Sequence, residues 1–349
     1  MNRSRSPLAV VAMACLLAVV AALLGGPAAA AEARPTAIVA LGDSAASGDG
    51  AGDYEPGTRG ENGDWCHRSP HAYINRTGLA EQSVNLACSG ADAAAVAFGG
   101  SHNTEGSQAQ RLIDVAGRYQ VTTVVLQVGA NDDAALTATG IACIAAFLDT
   151  RRPPCRDTIG PLVGGRMAAT ASKVEAAVRD VREAMRRAGY ADNGYQLVLM
   201  SYASPVTEHA VRAQALQGCP YNKADAGWGR TALFPALSAA LAGVAERTGA
   251  RFLDMVRATE GREACSHPLP ADEWQRRITV DPQALVHGGL DAVGFHLAQE
   301  SFHPNAAAHA EMARCLADFV RSPAPAASCV TGADGRNRVE GAHPAPAAA

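Results

Sequence analysis

Four residues in separate parts of the chain are of types that could do chemistry together: Ser44, Gly90, Asn131 and His303. A serine hydroxyl attacks a carbonyl carbon effectively only when a neighbouring base takes its proton, and histidine is the most common base for this task. A glycine backbone amide and an asparagine side-chain amide can donate hydrogen bonds to the oxyanion that the attack creates. If the fold brings these residues together, they predict acyl transfer by a serine nucleophile.

The segment that would position Ser44 is typical of a strand followed by a turn. Residues 38–41 form an apolar run, and Gly42-Asp43-Ser44 ends it with turn-forming residues. A helix beginning there would leave its first amides free to face an anion beside the hydroxyl. Ser44 could instead be the N-cap of an ordinary strand-to-helix turn, just as Asn131 and His303 could each cap a helix.

Strands and helices alternate along the chain. Apolar runs predict further strands over 84–88, 121–128, 197–202 and 252–255, and periodic apolar stripes predict helices over 108–119, 167–185, 231–248 and 304–319. This alternation predicts an α/β fold with a central parallel sheet and helices on both faces. Ligands bind at the carboxyl ends of the strands in such sheets. Ser44, Gly90 and Asn131 each follow a predicted strand, so we expect them at one edge.

The two ends of the chain differ in composition from the rest. Arg3 and Arg5 precede an apolar stretch over 8–24 and a small-residue cleavage site at 28–31, which predicts a secretory signal peptide over residues 1–31. A membrane anchor is the alternative. We expect a hydrolase domain over 32–329 and a disordered tail over 330–349, where bulky apolar residues are scarce. A net charge of −4 without a basic run predicts no nucleic-acid partner.

Eight cysteines follow the predicted leader, and an even number in an exported chain indicates disulfides. Pairing between neighbours in the sequence gives loops of modest length and predicts the bridges Cys66–Cys88, Cys143–Cys155, Cys219–Cys265 and Cys315–Cys329. The chain has no C-x-x-C pair, so we expect no metal site. The scattered histidines, His67 and His71 among them, have no spacing that supports metal ligation.

The four blocks Gly42-Asp43-Ser44, Gly90, Gly129-Ala130-Asn131-Asp132 and His303 occur in an order that resembles the GDSL or SGNH family of serine hydrolases. The leader and the cysteines resemble the secreted actinobacterial lipases, esterases and phospholipases of that family. The resemblance implies a flavodoxin-like, three-layer α/β/α sandwich. It also implies that Ser44 is the nucleophile, that His303 is its base, and that the oxyanion hole consists of the backbone amides of Ser44 and Gly90 and the side chain of Asn131.

The chain departs from the family pattern at the group that orients the histidine. The family usually has an aspartate three residues before the histidine, and here that residue is Glu300. A base needs its tautomer and its ring orientation fixed. Either the Glu300 carboxylate or a main-chain carbonyl, for which Ser301 is the nearest candidate, could fix them.

These observations predict a secreted, monomeric carboxylic ester hydrolase that cleaves lipid or other acyl esters without a cofactor and has no stable membrane span after cleavage of the leader. Residues 256–302 are irregular, and they form either the wall of an apolar pocket or a disulfide-pinned surface excursion. A pocket lined by Leu285, Leu290, Phe295 and Phe302 would favour long acyl chains. A polar cleft edged by tryptophan would favour the alternative, a polysaccharide O-acetyl esterase. A second alternative is a secreted binding protein that keeps the fold without turnover.

Overall fold

A seven-stranded sheet is the centre of the computed structural model, which describes residues 34–341. The strand order is β2-β1-β5-β6-β7-β8-β9, and every neighbouring pair is parallel except β8 and β9. The strands are β1 Thr36–Gly42, β2 Gln82–Asn85, β3 Ser101–His102, β4 Glu105–Gly106, β5 Gln120–Gln127, β6 Gln196–Met200, β7 Arg251–Asp254, β8 Ala326–Thr331 and β9 Asn337–Gly341. Strands β3 and β4 form a separate small hairpin.

Helices cover both faces of the sheet. They are α1 Ser44–Ser47, α2 Ala93–Val96, α3 Gln108–Arg118, α4 Leu136–Leu148, α5 Cys155–Ile159, α6 Val163–Arg187, α7 Lys223–Trp228, α8 Phe234–Thr248, α9 Gln283–Gly288 and α10 Ala306–Arg321. A π-helical turn, Gly229–Leu233, joins α7 to α8, and short 3-10 turns occur in the connections. Among the described residues, no helix combines the length and hydropathy needed to cross a lipid bilayer.

Alternate residues of the central strands face two separate cores, which makes the fold a three-layer α/β/α sandwich. On one side of the sheet, Val39 and Leu41 pack with the buried faces of α3, α6 and α8. On the other side, Ile38 and Ala40 pack with α10. Strands buried on both faces are apolar along their whole length, and this is the pattern of the predicted sheet. The mixed α/β prediction is therefore confirmed.

Long connections follow the carboxyl ends of four strands. They occupy residues 43–81 after β1, 128–162 between β5 and α6, 201–233 between β6 and α8, and 255–305 between β7 and α10. Strands β1, β5, β6 and β7 are parallel and end at the same edge, so the connections that follow them meet above it. The helices that follow return to the opposite edge.

The predicted disordered tail is wrong for residues 330–341. Strand β9 pairs antiparallel with β8 from Thr331 opposite Asn337 to Ala327 opposite Gly341. Asn337 is buried and donates from Nδ2 to the Ala258 carbonyl at 2.9 Å, so backbone pairing and a buried side chain hold this segment where bulky apolar residues are few. The predicted signal peptide and the last eight residues of the tail lie outside the described residues.

Four disulfides join the predicted pairs, Cys66–Cys88, Cys143–Cys155, Cys219–Cys265 and Cys315–Cys329. The first ties the connection after β1 to the segment after β2, and the second joins α4 to α5. The third pins the connection after β7 to that after β6, and the last joins α10 to β8. The neighbour pairing expected from the sequence is confirmed.

Candidate active site

Ser44 lies at a tight turn that only glycine permits at the end of β1. Gly42 has a φ of 137°, and a Cβ atom there would lie 1.9 Å from the carbonyl oxygen of Gln127 on β5. The Asp43 side chain then caps α1 by accepting a hydrogen bond from the Ala45 amide at 3.1 Å. The capping position thus belongs to Asp43, and Ser44 is the first residue of the helix. Its hydroxyl is free for another partner.

That partner is His303. The Nε2 atom of His303 lies 2.7 Å from Ser44 Oγ, and its Nδ1 atom lies 3.1 Å from the Ser301 carbonyl oxygen. A carbonyl oxygen only accepts hydrogen bonds, so Nδ1 must carry the proton in this contact. Nε2 of the neutral ring is then the acceptor, and the Ser44 hydroxyl donates to it. This is the tautomer that a general base for serine requires.

The backbone around His303 is held by main-chain hydrogen bonds to residues 274–276. The Arg276 amide donates to the His303 carbonyl at 2.9 Å, and the Phe302 amide donates to the Arg276 carbonyl at 3.0 Å. Phe302 has a φ of 59°, a strained conformation for a bulky residue that the surrounding structure must maintain. On the other side, a Cβ atom at Gly50 would lie 2.7 Å from the His303 Cβ. The backbone of His303 is therefore held in place from both sides.

The Glu300 carboxylate is engaged away from the imidazole. Its Oε1 accepts a hydrogen bond from the Tyr54 hydroxyl at 2.6 Å, and its Oε2 lies 3.3 Å from a guanidinium nitrogen of Arg276. These three side chains line a polar cavity that is separate from the pocket beside Ser44. Of the two groups considered from the sequence, the Ser301 carbonyl is the one in contact with His303.

The predicted oxyanion donors are placed by contacts between the segments after β2 and β5. Asn131 Nδ2 donates one hydrogen to the Ala91 carbonyl at 2.9 Å, which leaves its second hydrogen available, and Asn131 lines the same pocket as Ser44. Gly90 has a φ of 84°. Neither the Gly90 amide nor the Ser44 amide donates to an acceptor among the residues that the structure describes. Ser44 and Asn131 line the pocket, whereas Gly90 is exposed and is not among the lining residues.

A buried polar cluster that the sequence analysis did not identify fixes the Gly90 segment. Asp49 Oδ2 accepts hydrogen bonds from Ser89 Oγ at 2.6 Å and from Gln299 Nε2 at 3.1 Å, and Asp49 Oδ1 lies 3.1 Å from His67 Nδ1. Burial alone would raise the pKa of Asp49, but the neighbouring His67 and His303 and the hydrogen bonds hold that pKa below its ordinary value. Burial alone would lower the pKa of His67, but Asp49 raises it. Only the contacts between distant segments disclose this cluster.

Asp43 also takes part in a buried contact with Tyr202, which follows β6, two places from β1 in the sheet. The Tyr202 hydroxyl donates to Asp43 Oδ2 at 2.5 Å and accepts from the Ala130 amide at 3.3 Å. Complete burial raises the pKa of Asp43 from 3.8 to about 7, although the hydrogen bond from Tyr202 opposes the shift. This contact ties the serine turn to the segment that carries Asn131.

An apolar pocket of about 420 Å³ opens beside Ser44 and His303. Phe295 and Phe302 line it as predicted, so residues 256–302 do contribute a pocket wall. Leu285 and Leu290 do not, because they lie on the outer side of that segment and are exposed to solvent. Helix α4 forms the opposite wall, which was not predicted from the sequence. The apolar residues at positions 136, 141 and 144 of this helix were the available signal. The other main lining residues are Trp228, Leu233 and Phe234.

The residues with metal-ligand spacing lie elsewhere. Among the described residues, the one such grouping is Asp64 with Cys66 and Cys88. Both cysteines are joined in a disulfide, so neither offers a thiolate.

Comparison with known families decides what kind of protein has this arrangement. Residues 40–311 match the model of the GDSL-like lipase/acylhydrolase family, a span that includes Ser44, Gly90, Asn131 and His303. The chain belongs to this family. The GDSL-like lipase/acylhydrolase family consists of carboxylic ester hydrolases, so the chain is an enzyme of that class, and the resemblance drawn from the four blocks is confirmed at the level of the family.

Solved structures similar to this chain come from several esterases. An extracellular lipase from Streptomyces rimosus is 19% identical, with a TM-score of 0.45 over 78% of this chain and 93% of that chain. A phospholipase A1 from Streptomyces albidoflavus NA297 is 20% identical, with a TM-score of 0.46 over 79% of this chain and 95% of that one. A carbohydrate acetylesterase from Sinorhizobium meliloti is 11% identical, with a TM-score of 0.39 over 82% and 98%. A comparison with curated proteins finds no match.

Proposed function

We propose that this member of the GDSL-like family is a secreted esterase that cleaves medium- or long-chain acyl esters of lipids through a covalent acyl-enzyme. Ser44 is the nucleophile and His303 is the general base. The observation that carries the proposal is the 2.7 Å contact between Ser44 Oγ and His303 Nε2 beside an apolar pocket. The Ser301 carbonyl orients the imidazole in place of a carboxylate.

Acylation begins when Ser44 Oγ attacks the ester carbonyl carbon while His303 Nε2 accepts the hydroxyl proton. The π electrons of the carbonyl move onto its oxygen, and the resulting oxyanion accepts hydrogen bonds from the amides of Ser44 and Gly90 and from Asn131 Nδ2. Collapse of this intermediate breaks the bond to the alcohol oxygen. That oxygen takes the proton from His303, and the alcohol leaves.

Deacylation repeats the same steps with water. His303 takes a proton from a water molecule as its oxygen attacks the acyl carbon, and the oxyanion forms at the same donors. Collapse then breaks the bond to Ser44 Oγ, which takes the proton back from His303. The carboxylic acid leaves, and both residues return to their starting protonation states.

The pocket supports a lipid acyl group over an acetyl group. Its walls are the apolar side chains of α4, of the α7 to α8 turn and of residues 278–302, and its volume of about 420 Å³ far exceeds what an acetyl group fills. Burying each methylene of an acyl chain contributes about 0.8 kcal/mol to binding. The affinity for an acyl chain should therefore rise with its length until the pocket is full. Trp228 lies among apolar neighbours in this wall and does not edge a polar cleft.

Export is part of the proposal. The four disulfides form and persist in an oxidising environment, which supports a location outside the cytoplasm.

Hydrolysis of p-nitrophenyl esters of increasing chain length, beside a phospholipid and an acetylated xylan, tests the substrate class. We expect kcat/KM to rise from acetate toward medium and long chains, and the Ser44→Ala variant to be inactive on all substrates. Preference for acetate and release of acetate from xylan would replace the proposal with a carbohydrate O-acetyl esterase. No turnover of any ester by the intact enzyme, with no labelling of Ser44 by a fluorophosphonate, would indicate a binding protein.

A further inference from the structure

The exposed large apolar side chains lie on one side of the molecule. Among the described residues there are twelve, and all belong to the connections 128–162, 201–233 and 255–305 that leave the carboxyl ends of β5, β6 and β7. None lies on a turn at the opposite edge of the sheet. The active site is at the same carboxyl edge, so the apolar surface and the active site face the same direction.

Seven of the twelve are concentrated in residues 278–295. Leu290 is 90% exposed and Val286 is 70% exposed. Contact of such apolar side chains with water is unfavourable, and no neighbouring part of the described fold covers them. This segment is fixed to the body of the molecule. Trp65 Nε1 donates to Asp291 Oδ2 at 2.7 Å, and the Ile278 amide donates to the Gly218 carbonyl at 2.9 Å. The apolar residues are therefore held outward by a built structure.

Two of the exposed residues also form part of the pocket. Phe295 is 55% exposed and Ile141 is 58% exposed, and both also line the apolar pocket beside Ser44. We define the apolar rim as Ile141, Val280, Val286, Leu290, Val293 and Phe295. An acyl chain leaving a lipid layer in contact with this rim would pass from one apolar surface to another and remain out of water.

We infer that the apolar rim is a docking surface for the interface of a lipid layer, and this inference rests on the proposed lipid-esterase function. The rim lies at the level of the headgroups, with Leu290 and Val286 inserted among the acyl chains and the pocket mouth facing the layer. Residues 278–298 contain no lysine or arginine, but they include Asp281 and Asp291. Docking of this segment thus depends on apolar contact and gains nothing from anionic headgroups.

Binding to vesicles of phosphatidylcholine tests this inference, with the full chain carrying Ser44→Ala so that no lipid is hydrolysed during the measurement. In that background, Leu290→Asp with Val293→Asp should weaken vesicle binding at least about tenfold. The matched control adds the same two charges at the opposite edge through Ala191→Asp with Asn193→Asp, both at exposed positions, and should change binding less than about twofold. Replacing part of the phosphatidylcholine with phosphatidylglycerol should not strengthen binding.

The same two pairs are also made in the enzyme with Ser44 present, and their turnover of a short water-soluble ester checks that the folded site is retained. We expect kcat/KM to change less than about twofold in each. The inference would be overturned if the rim pair and the control pair bound vesicles equally well. It would also be overturned if the Ser44→Ala protein without either pair did not bind vesicles. A third contradicting outcome is a dimeric protein that does not bind vesicles and that becomes monomeric with Leu290→Asp and Val293→Asp. In that case a second copy of the chain would cover the rim. Vesicle binding without hydrolysis of any ester by the enzyme with Ser44 would refute the proposed function alone.

Discussion

The imidazole of His303 lies 2.7 Å from the hydroxyl of Ser44, although 259 positions separate the two residues in the chain. Ser44 is positioned by the end of β1 and His303 by main-chain bonds to residues 274–276. Their contact therefore depends on β1 and on the connection between β7 and α10 being in place together. The connection that precedes α10 brings the end of the chain back to the strand near its beginning.

Glu300→Gln should lower kcat less than about tenfold, because the carboxylate contacts Tyr54 and Arg276 and not the imidazole. Where an aspartate does orient a catalytic histidine, its amide variant loses about 10⁴-fold in kcat. Measurement of kcat for a soluble ester between pH 5 and 9 checks this prediction. A loss of about 10³-fold or more, or a changed pH profile, would assign the orienting role to Glu300.

Asn131→Ala should lower kcat about 100-fold with little change in KM, because the free hydrogen on Nδ2 acts on the oxyanion of the transition state. This loss corresponds to about 3 kcal/mol of transition-state stabilisation. Steady-state kinetics on a soluble ester measures it. Asn193→Ala, at an exposed position on the opposite edge, is the control and should have no effect. Equal kinetics for the two variants would remove Asn131 from the oxyanion hole.

Asp43→Asn should change how stability depends on pH. Burial raises the pKa of Asp43 from 3.8 to about 7, so the stability that its protonated form provides is fully present below pH 3.8 and is lost as the pH rises through 7. The variant cannot ionise and should gain on the order of 4 kcal/mol relative to the wild type between pH 4 and pH 7. Urea unfolding at pH 4, 5.5 and 7 with the disulfides intact measures the difference.

A control for that experiment is Asp114→Asn, which changes an exposed carboxylate on α3. Its stability should follow the wild type at every pH. If Asp43→Asn also followed the wild type, Asp43 would not hold a proton in the folded protein, and the pKa shift would be refuted.

Loss of the Cys66–Cys88 bridge should affect both stability and turnover. The bridge spans 22 positions, and its removal by Cys66→Ala with Cys88→Ala should cost about 3 kcal/mol. The Ser89-Gly90 segment follows Cys88 directly, so kcat should fall as well. Removing Cys315–Cys329, which spans 14 positions and joins α10 to β8, should cost a similar amount of stability and leave kcat unchanged. Equal kcat for the two variants would mean that the first bridge does not position Gly90.

The sequence was sufficient to predict the layers of the fold and the disulfide pairs. Apolar runs such as 121–128 can be buried only in a sheet covered on both faces, and the stripe on α6 that includes Met167, Val174 and Val181 has no use except core packing. Strand β9 was missed because its side chains are mostly polar. The Asp334-Gly335 turn between β8 and β9 was the available signal, since this dipeptide favours tight hairpins.

The surroundings of the candidate site were less predictable. Of the four side chains considered for a pocket wall, Phe295 and Phe302 line the pocket, but Leu285 and Leu290 face solvent, because this segment presents apolar residues on both of its sides. The cluster of Asp49, His67 and Gln299 joins three connections that no local pattern relates. Glu300 and Ser301 lie three and two residues before His303, and this spacing alone does not determine which of them contacts the imidazole. The choice depends on the direction of the side chains, which only the structure provides.

Labelling with a fluorophosphonate probe, followed by intact mass and peptide mapping, tests the central claim that Ser44 and His303 act together. The account predicts a single adduct on Ser44 in the wild type, no adduct in Ser44→Ala, and labelling slowed by about 10²- to 10⁴-fold in His303→Ala. Glu300→Gln should be labelled at nearly the wild-type rate. An adduct on another residue, or an unchanged labelling rate in His303→Ala, would contradict the account.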